Sequence, residues 1–197
     1  MTYTSSSRQR RQERHRSQKV RGSIVWFLVV AGALGLVFLL VWNIIRPPQG
    51  EQIPIQGDNH ISTGSDPGPY NSNPPSSGPH YAEELPRGFY EEADLAAWNP
   101  FPEAYAVHNL EHGYIVFWYN CQVLDEAACA QLKAQIRDYM ENPLSVPKLV
   151  ALPWAETDLP LVLTSWGYRL EMPVFDAGQA TAFINANRLR APEPNAP

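Results

Sequence analysis

The longest apolar run of the chain spans residues 24–45, IVWFLVVAGALGLVFLLVWNII, with no charge and Asn43 as its one strongly polar side chain. At about 1.5 Å per residue it predicts roughly 33 Å of helix, enough to cross the hydrocarbon core of a bilayer. Trp26 and Trp42 stand near its two ends, where interfacial aromatics belong. A cleaved signal peptide would carry a shorter apolar stretch and a small-residue cleavage site. This run instead exits into Asn43-Ile44-Ile45-Arg46-Pro47-Pro48 and reads as an uncleaved anchor.

Past the run the pattern changes repeatedly. Residues 46–58 are polar and proline-containing, a linker by composition. Residues 59–103 show little periodicity and many turn formers, among them Asp66-Pro67-Gly68-Pro69, Asn73-Pro74-Pro75 and Ser77-Gly78-Pro79. The same stretch carries Tyr70, Tyr81, Phe89, Tyr90, Trp98 and Phe101, aromatics able to anchor a long loop on a core. Regularity begins at residues 114–119, YIVFWY, a buried strand by its β-branched and aromatic content. Residues 125–140 place Ala128, Leu132, Ile136 and Tyr139 on one helical face behind Asp125 as N-cap. Residues 148–154 and 161–166 read as two more strands, and residues 176–187 as a helix capped by Asp176 that buries Ala180, Phe183 and Ile184. Residues 191–197, APEPNAP, read as a disordered tail. The expected fold is α+β: an N-terminal transmembrane helix, then a small β-α-β-β-α domain over residues 59–190 with a long ordered loop region.

Charge adds orientation. The net charge of −5 hides an asymmetry, because the first 45 residues hold seven basic side chains and one acidic, and the remainder eight basic and nineteen acidic. By the positive-inside rule the basic residues 1–23 stay in the cytoplasm and the C-terminal domain lies outside it, in a single-pass protein of the cell membrane. The lipid bilayer is then the first expected partner, with another membrane protein as a second. The acidic outer domain argues against nucleic acid. Cys121 and Cys129 both fall outside, where an oxidising compartment permits a disulfide closing a short loop. Free thiols or a Cys-His metal site are the alternatives.

Candidate chemistry gathers in a narrow window. The four histidines of the outer domain, His60, His80, His108 and His112, all precede residue 113, and Glu111 lies beside the last two. Imidazoles near a carboxylate, in segments shaped by glycine and proline, suit a transition-metal site. Read as a helix, His108-Asn109-Leu110-Glu111-His112 matches the H-x-x-E-H of an inverted zincin, with Glu111 as general base. Asn99-Pro100-Phe101-Pro102 upstream and Gly113 downstream leave room for about one turn, so the residues are expected in a loop entering the strand. Met172 is a soft ligand candidate that would favour copper, or else core filler. Ser76 and Ser77 lack a nucleophile elbow and read as turn-stabilising. Histidines that merely pin a loop-rich fold by hydrogen bonding are the metal-free alternative.

Several segments together resemble a bacterial family of single-pass, membrane-anchored proteins described as a domain of unknown function. They are Asn59-His60-Ile61, Tyr70-Asn71-Ser72-Asn73-Pro74-Pro75-Ser76-Ser77-Gly78-Pro79-His80, Gly88-Phe89-Tyr90, Val107-His108-Asn109-Leu110-Glu111-His112-Gly113 and Leu161-Val162-Leu163-Thr164-Ser165-Trp166-Gly167. The resemblance runs in order over roughly residues 58–192. It implies an N-terminal anchor and an outer domain, and it brings no activity or ligand. From the residues, the leading expectation is a membrane-anchored extracytoplasmic metal-binding protein for metal handling or delivery. Copper or zinc would be held by His60, His80, His108, Glu111 and His112. A structural or interaction subunit of a membrane complex is the alternative, with a zinc-dependent hydrolase behind it. Whether the protein is an enzyme stays open.

Overall fold

The computed structural model describes residues 26–39, 41, 49–98, 100–142 and 147–196. The chain divides into two compact units, residues 1–46 and 47–197. In the first, residues 26–39 form a helix, α1, whose apolar side chains, including Trp26, Phe27, Leu34 and Leu39, are exposed. Among the described residues no helix is long and apolar enough to cross a membrane. The span expected at residues 24–45 extends past α1 onto residues 24, 25, 40 and 42–45, which lie outside the described residues.

The second unit is α+β around a six-stranded mixed sheet. Its strands are β1 (Glu51–Gln52), β4 (Gly88–Phe89), β5 (Ile115–Tyr119), β6 (Leu149–Pro153), β7 (Leu161–Ser165) and β8 (Tyr168–Glu171), in the order β1-β8-β7-β5-β6-β4. β5 pairs parallel with β6 and antiparallel with β7, and β4 adds parallel to β6. A separate two-stranded ribbon pairs β2 (His60–Ile61) parallel to β3 (His80–Tyr81). The helices are α2 (Pro102–Glu111), α3 (Glu126–Glu141) and α4 (Ala177–Asn187).

Both faces of the sheet are covered, which is why β5 reads as an unbroken apolar run rather than an alternation. Val116 and Trp118 face a cluster built with Ala106, Val107 and Leu110 of α2 and with Tyr81, Leu85 and Trp166. Ile115, Phe117 and Tyr119 face Leu132 and Ile136 of α3 and Phe183 and Ile184 of α4. Each fully buried aliphatic side chain contributes about 1.5–3 kcal/mol. The caps sit as the sequence predicts. Asp125 accepts from the Ala128 amide at 2.7 Å and Asp176 from the Gln179 amide at 2.8 Å. The disulfide Cys121–Cys129 ties the turn after β5 to the first turn of α3, with Cα atoms 5.2 Å apart.

Several elements differ from the sequence reading, the short strands β2, β3 and β4 within the expected loop region among them. His108–Glu111 belong to a ten-residue helix, not a loop, and His112 is its C-cap. Pro102 opens α2 at a position where its missing N–H costs nothing, so the proline start helix formation instead of preventing it. β8 follows β7 through a tight turn at Gly167, whose φ of 70° admits glycine and few other residues. Residues 49–58, expected as linker, contribute β1 and dock on the domain, Ile53 donating its amide to Gly167 at 2.9 Å and Gln56 to the Ser77 hydroxyl at 3.0 Å. The tail expected to be disordered is tied back as well. The Glu193 amide donates to the Glu111 carbonyl at 3.0 Å, and Lys148 reaches the carbonyls of Pro194 and Ala196.

Candidate metal centre

The segment Pro74–His80 is packed rather than free, with Ser76 and Ser77 fully buried. Tyr70 donates its hydroxyl to the Pro79 carbonyl at 2.9 Å, and burial raises its pKa well above the usual phenol value, so that the donor persists. Gly78 adopts φ 128°, and a Cβ there would press on the Tyr70 ring at 3.0 Å. This conformation aims the Gly78 carbonyl at Nδ1 of His80, 2.7 Å away. A carbonyl oxygen only accepts, so Nδ1 carries a proton and Nε2 is the nitrogen turned to the site. His80 is fully buried, with the Trp166 ring edge-on at 6.1 Å.

Parallel pairing of β2 with β3 sets His60 opposite His80, their ring centroids 4.8 Å apart. The third and fourth groups come from α2. His108 and Glu111 lie three residues apart and so share one face. Asn109 between them fixes the helix against the preceding loop: its amide donates to the Leu85 carbonyl at 2.8 Å and its carbonyl accepts from the Leu85 amide at 3.0 Å. Leu110 fills the core. Gly113, φ 80°, ends the helix where a Cβ would strike the Arg188 carbonyl at 2.5 Å.

One ligand atom from each of His60, His80, His108 and Glu111 lies within 4.8 Å of the other three. Around Glu111 Oε2 stand His80 Nε2 at 3.1 Å, His60 Nε2 at 3.4 Å and His108 Nδ1 at 3.7 Å. Zinc bonds of 2.0–2.1 Å in a tetrahedron would put neighbouring ligand atoms about 3.4 Å apart. The three separations bracket that edge, and the widest spacing in the whole set, at most 4.8 Å, contracts to it through a shift of about 1.4 Å, within reach of small side-chain rotations.

The electrostatics of this cluster call for a cation. His80 Nε2 faces a Glu111 carboxylate oxygen at 3.1 Å, a contact that a proton or a metal ion between the two atoms would satisfy. His108 Nδ1 is buried and has no hydrogen-bond partner among the described residues. Burial, then the neighbouring His112, His80 and His60, pushes the His108 pKa from 6.5 down to about 4, so the ring is neutral at physiological pH. It is thus ready to coordinate without first losing a proton.

His112 stands apart from this set. As C-cap of α2, with φ −83° and ψ 8°, it leaves the helical path. Its Nδ1 lies 3.1 Å from Glu84 Oε2 and its Nε2 3.6 Å from Glu193 Oε2, each ring nitrogen facing a different carboxylate. The ring remains 4.4 Å from that of His108. Met172 lies in the core cluster on the opposite face of the sheet, where its sulfur accepts from the Asp176 amide at 3.3 Å. Of the five sequence-predicted ligands the structure therefore brings four together. The roles of Asn109 as clamp and of the Gly78 carbonyl as tautomer lock escaped the sequence reading, although both lie inside the quoted motifs.

The model of the family described as "Protein of unknown function (DUF3105)" matches residues 62–197. The chain belongs to that family. The DUF3105 match contains His80, His108 and Glu111 and begins two residues after His60. No curated protein and no solved structure matches the chain.

Proposed function

We propose that this protein is a membrane-anchored, extracytoplasmic metal-binding protein that handles or delivers a divalent transition-metal ion, with His60, His80, His108 and Glu111 as the ligands. The observation that carries the reading is the buried convergence of ligand atoms: His80 Nε2 at 3.1 Å from Glu111 Oε2, beside His108 Nδ1, which has no hydrogen-bond partner among the described residues. Three imidazole nitrogens and one carboxylate oxygen suit zinc, or copper(II) in a flattened geometry. With Met172 across the sheet, no thioether among the described residues joins the site to favour copper(I). Glu111 among the ligands and His112 turned to Glu84 and Glu193 speak against the zincin arrangement, where both histidines bind and the glutamate serves as free base. The anchor rests on the apolar run 24–45, helical where described, and on the basic segment before it. The disulfide agrees with an oxidising compartment.

The site separates His108 from His112, and so does the test. Full-length protein and its His80→Ala, His108→Ala and His112→Ala variants are titrated with zinc and copper(II), and bound metal is measured by elemental analysis. One equivalent in the parent and in His112→Ala, with none in folded His80→Ala and His108→Ala, is the expected result. A parent that takes up neither ion refutes the reading and leaves the histidines as scaffold.

A further inference from the structure

The four ligands do not belong to the site in the same way. Side-chain exposure is 0% for His80, 7% for Glu111 and 8% for His108, against 49% for His60. His108 and Glu111 ride on α2, in which every residue from Ala104 to Glu111 is buried. His80 is held through its second nitrogen by the Gly78 carbonyl. These three groups form a seat whose atoms cannot leave without unpacking the core. His60 lies on a two-residue strand outside the main sheet. Its backbone is secured, since the His80 amide donates to the Asn59 carbonyl at 3.2 Å and the Gly78 amide to the Gly57 carbonyl at 3.0 Å. Its ring touches the site from the solvent side, against the rings of His80 and His108.

We infer that His60 is the exchangeable ligand, the one that opens to admit and release the ion while His80, His108 and Glu111 hold it. This rests on the metal-binding reading and gives it a direction. An exposed side chain changes rotamer within nanoseconds, whereas a buried imidazole in a packed core does not. When the His60–metal bond breaks, three protein ligands remain and one coordination position opens, the condition that distinguishes a reactive or transferring site from a closed structural one. Water, or a single nitrogen or oxygen atom of a donor or acceptor, takes the vacated position. The route into the site is therefore on the His60 side, and the exchange partner is a molecule that offers one ligand atom there, such as the imidazole of a second protein.

The test uses full-length protein loaded with zinc, or with cobalt(II) for its visible spectrum, and follows the transfer of the ion to an excess of a chromogenic chelator. His60→Ala is expected to keep one equivalent of metal, to release it at least tenfold faster than the parent, and to be slowed again by added imidazole. His80→Ala is expected to hold no metal. Two results overturn the inference while leaving the metal site standing: complete loss of metal in a folded His60→Ala, which would make the site a closed four-ligand one, or release at the parental rate, which would remove His60 from the ligand set. A parent that binds no metal overturns the metal-binding reading itself.

Discussion

In the metal-free protein, the buried His108 ring makes stability depend on pH in a window that can be worked out beforehand. Its pKa is about 4 in the fold against 6.5 for an ordinary histidine, with burial as the largest cause. Between these values the unfolded chain binds a proton that the folded chain refuses. Stability therefore rises with pH across the window, is fully present above about 6.5, and is lost as pH falls toward 4. The slope approaches about 1.4 kcal/mol per pH unit, and the total is about 3 kcal/mol. For a domain of this size that corresponds to roughly 6–12 °C in Tm. The assay is thermal or urea unfolding, followed by tryptophan fluorescence at half-unit pH steps with a chelator present. The comparison is with His108→Asn, which keeps a polar group near the Nδ1 position and cannot titrate. Subtracting the two profiles isolates this residue from the other carboxylates and imidazoles. If the parent and variant curves run parallel from pH 6.5 to 4, His108 is not buried in the way described and the argument from its orphaned nitrogen fails.

Two further perturbations test the framework around the site. Asn109→Ala leaves the buried Leu85 amide and carbonyl without their partner and is expected to cost about 2–4 kcal/mol in urea unfolding; an effect below 1 kcal/mol would show that the clamp does not hold α2 in place. Reduction of Cys121–Cys129, a sequence separation of 8, is expected to cost about 2.5 kcal/mol on loop-closure entropy. It should leave metal stoichiometry unchanged, since the bridge ties the end of β5 to α3 on the face away from the histidines. Loss of metal on reduction would place the bridge in the path that shapes the site.

The parts of the fold that were legible in the sequence are those whose signal is local. β5, β6 and β7 announced themselves as apolar runs, and α3 and α4 by a spaced apolar face behind an aspartate that caps the first turn. α2 was illegible for a physical reason. Eight consecutive residues of it are buried, so no polar face marks its period, and Phe101 before it makes no side-chain cap. The ribbon of β2 and β3 could not be read either, because two-residue strands twenty positions apart carry no pattern of their own. At the site, residue types named the chemistry and the convergence of His60, His80, His108 and Glu111 followed. The departure of His112 depended on where α2 ends, and the helix had itself been hidden.

The docked tail has a practical side. Residues 191–196 return to the end of α2, with the Glu193 amide on the Glu111 carbonyl and its carboxylate 3.6 Å from His112. Anything fused after residue 197 is delivered to the neighbourhood of the four ligands. A polyhistidine tag placed there would compete for the ion it is meant to help study, and would be counted as occupancy of the protein's own centre. Tags on this protein belong at the other terminus, or must be cleaved before metal is measured.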